Sequence, residues 1–158
     1  MRVAVVDDEK DMRLSITQWL TLSGYETESY SSAEDALAQI GSDYPGIVVT
    51  DIKMPGMDGM QFLKRIMALD TTLPVILITG HGDVPMAVEA MRLGAFNFLE
   101  KPFNPEALTQ LVKLAIQNRR SSLSNRNLRS ELSNGSKIIK KLAGTSKFME
   151  KLKEDILD

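Results

Sequence analysis

Short strand-like segments alternate five times with segments of helical spacing, and this alternation limits most strongly what the chain can fold into. The runs VAVVDD at 3–8 and GIVVTDI at 46–52 are apolar without alternation, as expected for strands buried on both faces. PVILITG at 74–80 and FNFLE at 96–100 are two further strand candidates, and the polar segment YETESY at 25–30 suits an edge. Repeated βα units form a parallel sheet with helices on both faces, so we predict a doubly wound, five-stranded α/β fold.

The helical segments between these strands carry recognisable start and stop signals. Gly24 and Gly94 follow the first and fourth helices, where glycine commonly ends a helix. Residues 31–34 match a capping box and predict a second helix that reaches Ile40. Pro105 suits the first position of the fifth helix because that position needs no N–H donor.

Composition excludes several classes of protein. The 158 residues include no cysteine and one histidine, His81, which excludes disulfides, thiolate metal sites and histidine-rich metal sites. No signal peptide and no apolar run of membrane-spanning length are found, so we expect a soluble cytoplasmic protein without membrane contact.

The net charge of −2 hides an uneven distribution. Residues 1–112 hold 16 acidic and 8 basic side chains, whereas residues 113–141 hold 8 basic side chains and one acidic. A basic stretch can bind nucleic acid, but no aromatic residues interleave these charges, which favours a solvated helix face.

Polar side chains follow the predicted strands at the points where the strands end. They are Asp7 and Asp8, Asp51, Thr79 and Lys101. Parallel sheets of this class form sites at the carboxyl edge, so we expect these side chains to converge. Clustered carboxylates suit Mg²⁺, a carboxylate can attack phosphorus, and a lysine and a hydroxyl can contact a phosphoryl oxygen. The sequence therefore predicts a magnesium-dependent phosphoryl-transfer site at this edge.

Four sequence blocks resemble the signature blocks of the response-regulator receiver domain, in the family's order and spacing. They are VVDDE at 5–9, VVTDIKMPGMDG at 48–59, LITG at 77–80 and FLEKPF at 98–103. The resemblance covers residues 1–120 and implies a flavodoxin-like fold with strand order 2-1-3-4-5. It also implies a signalling domain with no enzymatic activity beyond its own phosphorylation and dephosphorylation.

The resemblance implies roles for the acidic residues. Asp51 would accept a phosphoryl group from a sensor histidine kinase. Asp8, Asp51 and the backbone carbonyl of Lys53 would bind Mg²⁺, and Asp7 would lie one layer behind these ligands.

The resemblance also assigns switch residues. Thr79 would move to bind the phosphoryl oxygen, Lys101 would contact it from the other side, and the Phe98 ring would turn inward on activation. Lys53 and His81 match positions that influence the lifetime of the phosphoryl group. Whether the Lys101-Pro102 bond is cis is left open by the sequence.

The fifth helix is predicted to extend well beyond the domain, because residues 105–132 contain no further proline and no glycine. We predict a dimerisation linker over 121–143, interrupted by SNGS at 133–136, and therefore a homodimer. Its seam has apolar ends and a polar middle. The apolar positions of the seam are Leu111, Leu114, Leu128 and Leu132.

Residues 144–158 resemble the opening of the AAA+ ATPase domain of sigma-54-dependent transcription activators, and most of all regulators of four-carbon dicarboxylate transport. The chain has no GxxxxGK[ST] loop, so it is expected to be a fragment that ends where the ATPase begins. DNA and sigma-54 RNA polymerase would be contacted only through absent domains. The resemblance implies that phosphorylation rearranges the dimer and thereby controls the ATPase.

Three other classes share parts of this pattern. A haloacid-dehalogenase phosphohydrolase would need a second aspartate where Lys53 stands, and a flavin carrier would not place DDEKDMR where phosphate binds. A stand-alone receiver that regulates a protein partner remains the main alternative, and the long helix and the tail disfavour it.

Overall fold

The computed structural model describes residues 1–80 and 82–139, with side chains as far as residue 126. Within these described residues, five strands alternate with five helices. The strands are β1 (Arg2–Val6), β2 (Glu26–Tyr30), β3 (Gly46–Asp51), β4 (Val75–Thr79) and β5 (Asn97–Glu100). The helices are α1 (Lys10–Leu22), α2 (Ala33–Leu37), α3 (Gly59–Leu69), α4 (Val84–Leu93) and α5 (Pro105–Ile139).

The strands form one sheet in the order β2-β1-β3-β4-β5, and every neighbouring pair is parallel. The polar strand β2 lies at an edge, as predicted. The sheet order and the alternation of elements confirm the doubly wound, flavodoxin-like α/β prediction.

Two hydrophobic clusters cover the two faces of the sheet. One packs α2, α3 and α4 against alternate strand residues such as Val48, and it includes Phe62. The other packs α1 and α5 against the opposite residues, and it includes Val49 and Leu108. The central strand β3 is buried throughout, which explains why its sequence shows no polar alternation.

Helix α2 differs from its prediction at both ends. Ser32 caps the helix by accepting a hydrogen bond from the backbone N–H of Asp35, one residue later than the predicted capping box. The Glu34 carboxylate accepts instead from the backbone N–H of Met57, and the helix ends at Leu37 rather than at Ile40. The Glu34 carboxylate therefore contacts a distant loop, and the cap lies at Ser32 rather than at Ser31.

Helix α5 begins at Pro105 as predicted, but the predicted break at 133–136 is wrong. The helix continues through that segment to Ile139. A single glycine in a helix interior costs only about 1 kcal/mol, and serine and asparagine cost less. SNGS is therefore too weak a signal to end a long helix.

The chain divides into two units, residues 1–122 and 123–158. The first holds the sheet and its helices, and the described part of the second is the remainder of α5. None of the described helices has the length and apolar character to cross a membrane. The predicted ATPase segment at 144–158 lies outside the described residues.

Candidate functional site

Three carboxylates meet at the carboxyl edge of the sheet because β1 and β3 are parallel neighbours. Val6 pairs with Thr50, so the residues that come after them on each strand lie side by side. Asp7, Asp8 and Asp51 each offer a carboxylate oxygen, and these oxygens lie within 4.8 Å of one another. Asp7 and Asp51 are buried, whereas Asp8 is exposed, so the cluster opens to solvent on one side.

Lys101 and Thr79 complete this edge from β5 and β4. The Lys101 ammonium lies 3.4 Å from Oδ2 of Asp51. The backbone N–H of Lys101 donates to the carbonyl of Thr79 at 2.7 Å, and the Lys101-Pro102 bond is cis. The side chain of Thr79 is 0% exposed, and no group among the described residues hydrogen-bonds its hydroxyl. The structure thus brings together four of the five predicted side chains, and Thr79 lies at the same edge, at the end of the neighbouring strand β4.

Burial raises the pKa of the Asp7 carboxyl from its ordinary value of 3.8 to about 6. The backbone N–H of Glu9, which donates to Asp7 at 2.9 Å, opposes this rise, as does Lys101. The carboxylates of Asp51 and Asp8 add to it. The environment of Asp7 therefore disfavours its ionised form.

Burial also raises the pKa of the Asp51 carboxyl above its ordinary value. The Lys101 ammonium opposes the rise most strongly, followed by the backbone N–H groups of Lys53 and Ile52. The ammonium and the two amides stabilise the ionised form, which is the form that can act as a nucleophile.

These residues fit a bound divalent cation. The cluster holds three carboxylates against one ammonium, and Oδ2 of Asp7 has no hydrogen-bond partner among the side chains and backbone that the structure describes. Carboxylate and carbonyl oxygens are the ligands that Mg²⁺ prefers, and Mg²⁺ needs only a few of them.

Two contacts that the sequence analysis missed hold Asp7 in place. Arg13 of α1 donates to the backbone carbonyl of Asp7 at 2.6 Å, and the Glu9 backbone donates to its carboxylate. An arginine in the first turn of α1 is the only sequence signal for this contact, and it is a weak one.

Gly59 allows the loop after β3 to pack closely beneath the site. A Cβ atom at this position would lie 2.6 Å from the backbone oxygen of Asp51 and 2.7 Å from Cα of Ile52. Asp58 begins α3 with a capping box to Gln61, which fixes the start of the helix at this point. Glycine is therefore required here for space.

A second lysine near the site, Lys53, connects two neighbouring loops. Lys53 forms an ion pair with Asp83, with 3.2 Å between Nζ and Oδ1, although the Lys53 side chain is largely exposed. This pair joins the loop after β3 to the loop after β4. The pairing of Lys53 with Asp83 could not be predicted from the sequence, because the two residues lie thirty positions apart.

Phe98 lies in β5 opposite Leu77 of β4. Its ring is half-buried and packs against the cluster beneath α2, α3 and α4. His81, which the resemblance linked to the lifetime of the phosphoryl group, lies outside the described residues.

The predicted dimer seam divides into different environments. Leu111 is half-buried and packs against the domain's own core, whereas Leu114 is 51% exposed. The side chains of Leu128 and Leu132 lie outside the described residues. Within the described part, only Leu114 of these four is largely available for a contact outside the domain.

Comparison with known proteins identifies the domain. The family model described as the response regulator receiver domain matches residues 3–113. The chain is 43% identical over 154 residues to the C4-dicarboxylate transport transcriptional regulatory protein DctD of Rhizobium meliloti (strain 1021), which covers 98% of this chain and 33% of that protein. DctD of Pseudomonas aeruginosa is 44% identical over 155 residues, which covers 98% and 34%.

A solved structure agrees with these relatives. The crystal structure of a response regulator receiver domain protein from Clostridium thermocellum has a TM-score of 0.69 and 32% identity, and it covers 75% of this chain and 96% of that one. The chain spans about a third of the length of the curated relatives named here. The match over most of the chain, the sheet order and the acidic edge together show that it belongs to the response regulator receiver domain family.

Proposed function

We propose that this receiver domain is a phosphorylation switch in which Asp51 accepts a phosphoryl group from a sensor histidine kinase. The observation that carries the proposal is the cluster of Asp7, Asp8 and Asp51, with the Lys101 ammonium 3.4 Å from Asp51. A buried, partly neutralised carboxylate beside a group of metal-ligating oxygens has the chemistry of a phosphoacceptor.

In the proposed reaction, a carboxylate oxygen of Asp51 attacks the phosphorus of a phosphohistidine. The P–O bond forms while the P–N bond breaks, and the bonding electron pair stays on the imidazole nitrogen. Asp8, Asp51 and the carbonyl of Lys53 would hold Mg²⁺, which when bound neutralises charge on the phosphoryl oxygens.

The residues of the chain itself have three tasks in this reaction. Asp51 must be ionised, and Lys101 favours that state against the effect of burial. Lys101 then faces the phosphoryl oxygens from the β5 side. Among the described residues, no group hydrogen-bonds the buried hydroxyl of Thr79, and this hydroxyl can turn to donate to a phosphoryl oxygen.

The response to phosphorylation would pass through Thr79 and Phe98. Both lie on the neighbouring strands β4 and β5, and Phe98 packs against the same cluster as α4. A phosphoryl group that recruits the Thr79 hydroxyl changes the packing available to Phe98. We expect this to shift the domain between two arrangements of the surface formed by α4, β5 and α5.

The parent protein is proposed to be a sigma-54-dependent transcription activator related to the dicarboxylate transport regulators. The names of the two DctD relatives and the 98% of the chain aligned to each support this proposal. We propose domain bounds of 1–120 for the receiver, 121–143 for a dimerisation linker and 144–158 for the start of an ATPase. Phosphorylation would then control the ATPase by rearranging a homodimer formed through α5.

The competing phosphohydrolase function is disfavoured by the residue at position 53. That reaction needs an acid two residues after the nucleophile Asp51, and Lys53 stands there with its ammonium paired to Asp83. The domain is therefore proposed to transfer a phosphoryl group only to itself.

An intact mass measurement tests the function. The chain is incubated with acetyl phosphate and Mg²⁺, beside Asp51→Asn and beside a sample with the metal chelated. We expect one added phosphoryl group on the parent and none in either control. A parent without an adduct that also forms no beryllofluoride complex would refute the proposal, and an adduct on Asp51→Asn would place the phosphoacceptor elsewhere.

A further inference from the structure

A buried arginine lies at the end of the sheet opposite the acidic site. By residue volume, Arg119 of α5 is the largest fully buried side chain among the described residues, with 0% exposed. It lies near the end of the unit formed by residues 1–122. Its neighbour Arg120 is exposed, so the burial of Arg119 is specific to position 119 and is not shared by the adjacent basic residue.

Two nitrogens of the Arg119 guanidinium donate hydrogen bonds, and the third forms an ion pair. Nε donates to the backbone carbonyl of Tyr44 at 3.0 Å, and NH1 donates to the Thr72 hydroxyl at 2.9 Å. NH2 lies 2.9 Å from Oδ2 of Asp70. Asp70 in turn accepts from the backbone N–H and the hydroxyl of Thr72. We call Arg119, Asp70, Thr72 and Tyr44 the Arg119 clamp.

The partners of Arg119 lie where two strands begin. Tyr44 lies two residues before β3, and Asp70 and Thr72 lie between α3 and β4. These are the strands that end at Asp51 and Thr79. The clamp therefore joins α5 to the amino ends of the two strands whose carboxyl ends form the candidate site.

Burial of an ion pair is an inefficient way to stabilise a domain, because apolar side chains of similar volume often serve as well. Donors in a planar fork do something that apolar contacts do not, since they fix both the position and the direction of their partners. Three partners on two separate segments hold this part of α5 in one orientation. That geometry suits a role in specifying an arrangement.

We propose that Arg119 is a positioning residue that holds the end of α5 in the receiver domain in the orientation needed to transmit the state of the domain to the linker. Phosphoacceptance by Asp51 does not require it. The transmission part of this proposal rests on the proposed function of Asp51, whereas the orientation of α5 does not.

The test compares four proteins with the parent. Arg119→Met removes the guanidinium but leaves the Asp70 carboxylate buried without its cation, so this variant could fail to fold. Arg119→Met/Asp70→Asn removes both charges and keeps the test decisive in that case. Arg119→Lys keeps the charge without the planar fork. Arg120→Met removes the same charge from the exposed neighbouring position and is the matched control.

Three measurements are made on each protein. Hydrogen exchange followed by mass spectrometry reports the opening of residues 112–122 without phosphorylation. Intact mass after incubation with acetyl phosphate and Mg²⁺ reports phosphoacceptance. Small-angle scattering with and without beryllofluoride reports the change in arrangement.

We expect exchange across 112–122 to be about tenfold faster or more in both charge-removing forms and in Arg119→Lys. Phosphorylation should stay within about twofold of the parent, because the clamp lies away from the reacting atoms. The scattering change on beryllofluoride should be lost in these variants and kept in Arg120→Met.

Several results would overturn the proposal. Parent-like exchange and scattering in the doubly neutral variant would show that the Arg119 clamp only fills space in the core. Parent-like exchange in Arg119→Lys would show that the planar guanidinium is not needed to orient α5. Loss of phosphorylation in the doubly neutral variant would show that the clamp serves the whole domain. A parent that accepts no phosphoryl group refutes the function of Asp51 instead, and the exchange comparison still decides the orientation of α5.

Discussion

The carboxyl edge of the sheet, where the strands end, and the amino edge, where they begin, differ in how their buried charges are balanced. At the carboxyl edge, the buried carboxylates of Asp7 and Asp51 have one nearby ammonium, Lys101, at 3.4 Å from Asp51. At the amino edge, the carboxylate of Asp70 meets the guanidinium of Arg119 at 2.9 Å, and further hydrogen bonds surround both groups. The first edge is unbalanced in charge and the second is balanced.

This difference distinguishes the candidate functional site at the carboxyl edge from the Arg119 clamp at the amino edge, which has a structural role. Buried charge without a partner is costly and raises the pKa of a carboxyl, and clusters of this kind are found preferentially at functional sites. A buried charge that is paired with an opposite charge and held by further hydrogen bonds fixes the surrounding segments in one arrangement. Charge balance, rather than burial alone, distinguishes the two.

The largest effect is expected when the balanced edge is broken. Asp70→Ala leaves the buried Arg119 guanidinium without its carboxylate, so we expect the free energy of unfolding to fall by about 3–5 kcal/mol. Urea denaturation followed by circular dichroism measures this loss. Arg119→Met/Asp70→Asn should lose markedly less, and equal losses in the two proteins would contradict the importance of charge balance.

A smaller effect is expected from crowding the unbalanced edge. Gly59→Ala places a Cβ against the backbone of Asp51 and Ile52, which must shift, so we expect destabilisation by about 1–3 kcal/mol. The rate of phosphorylation by acetyl phosphate should fall as well, because Asp51 moves relative to Lys101.

Gly41→Ala is the matched control for this change, since a Cβ there meets nothing within 4 Å. It should change the free energy of unfolding by less than about 0.5 kcal/mol. A loss in Gly41→Ala as large as that in Gly59→Ala would show that backbone freedom, not space, decides both.

The pH dependence of stability tests the imbalance directly. Because burial raises the pKa of Asp7 to about 6, the unfolded chain loses this proton at a lower pH than the folded chain. The favourable contribution of protonated Asp7 is therefore present at about pH 4 and is lost as the pH rises through about 6. We expect Asp7→Asn to stabilise the metal-free protein at about pH 7.5 by about 1–3 kcal/mol, with little effect near pH 4.

Urea denaturation at both pH values, with a chelator and then with Mg²⁺, measures this effect. Mg²⁺ should stabilise the parent more than Asp7→Asn, because the cation balances the charge that the variant lacks. Glu26→Gln, at an exposed edge-strand position, is the control. A stabilisation of Asp7→Asn that is the same at both pH values would contradict the assignment of the effect to this carboxyl.

The smallest effect is expected for a charge pair that is not buried. Arg92 and Glu89 form an exposed ion pair on α4, with 3.2 Å between NH1 and Oε1. Glu89→Ala should change the free energy of unfolding by less than about 0.5 kcal/mol, because water screens the pair. A loss comparable to that of Asp70→Ala would show that burial does not set the scale.

Much of the carboxyl edge could be predicted from the sequence, because parallel strands place consecutive strand ends side by side. Asp51 and Thr79 come directly after apolar runs, so their position needed no knowledge of distant contacts. Arg13 and Asp83 were missed because their partners are set by loop paths. The hydrogen bond that Glu34 accepts from the backbone N–H of Met57 was missed for the same reason.

The sequence by itself determined the alternation of elements, the parallel sheet and the polar residues at its carboxyl edge, because these depend on periodicity and on local order along the chain. Only the tertiary structure decided that Arg119 is buried while Arg120 is exposed, and that Tyr44, 75 positions away, accepts a hydrogen bond from Arg119. A sequence pattern reports neighbours three or four residues apart, whereas the environment of a charge is set by segments that only folding brings together.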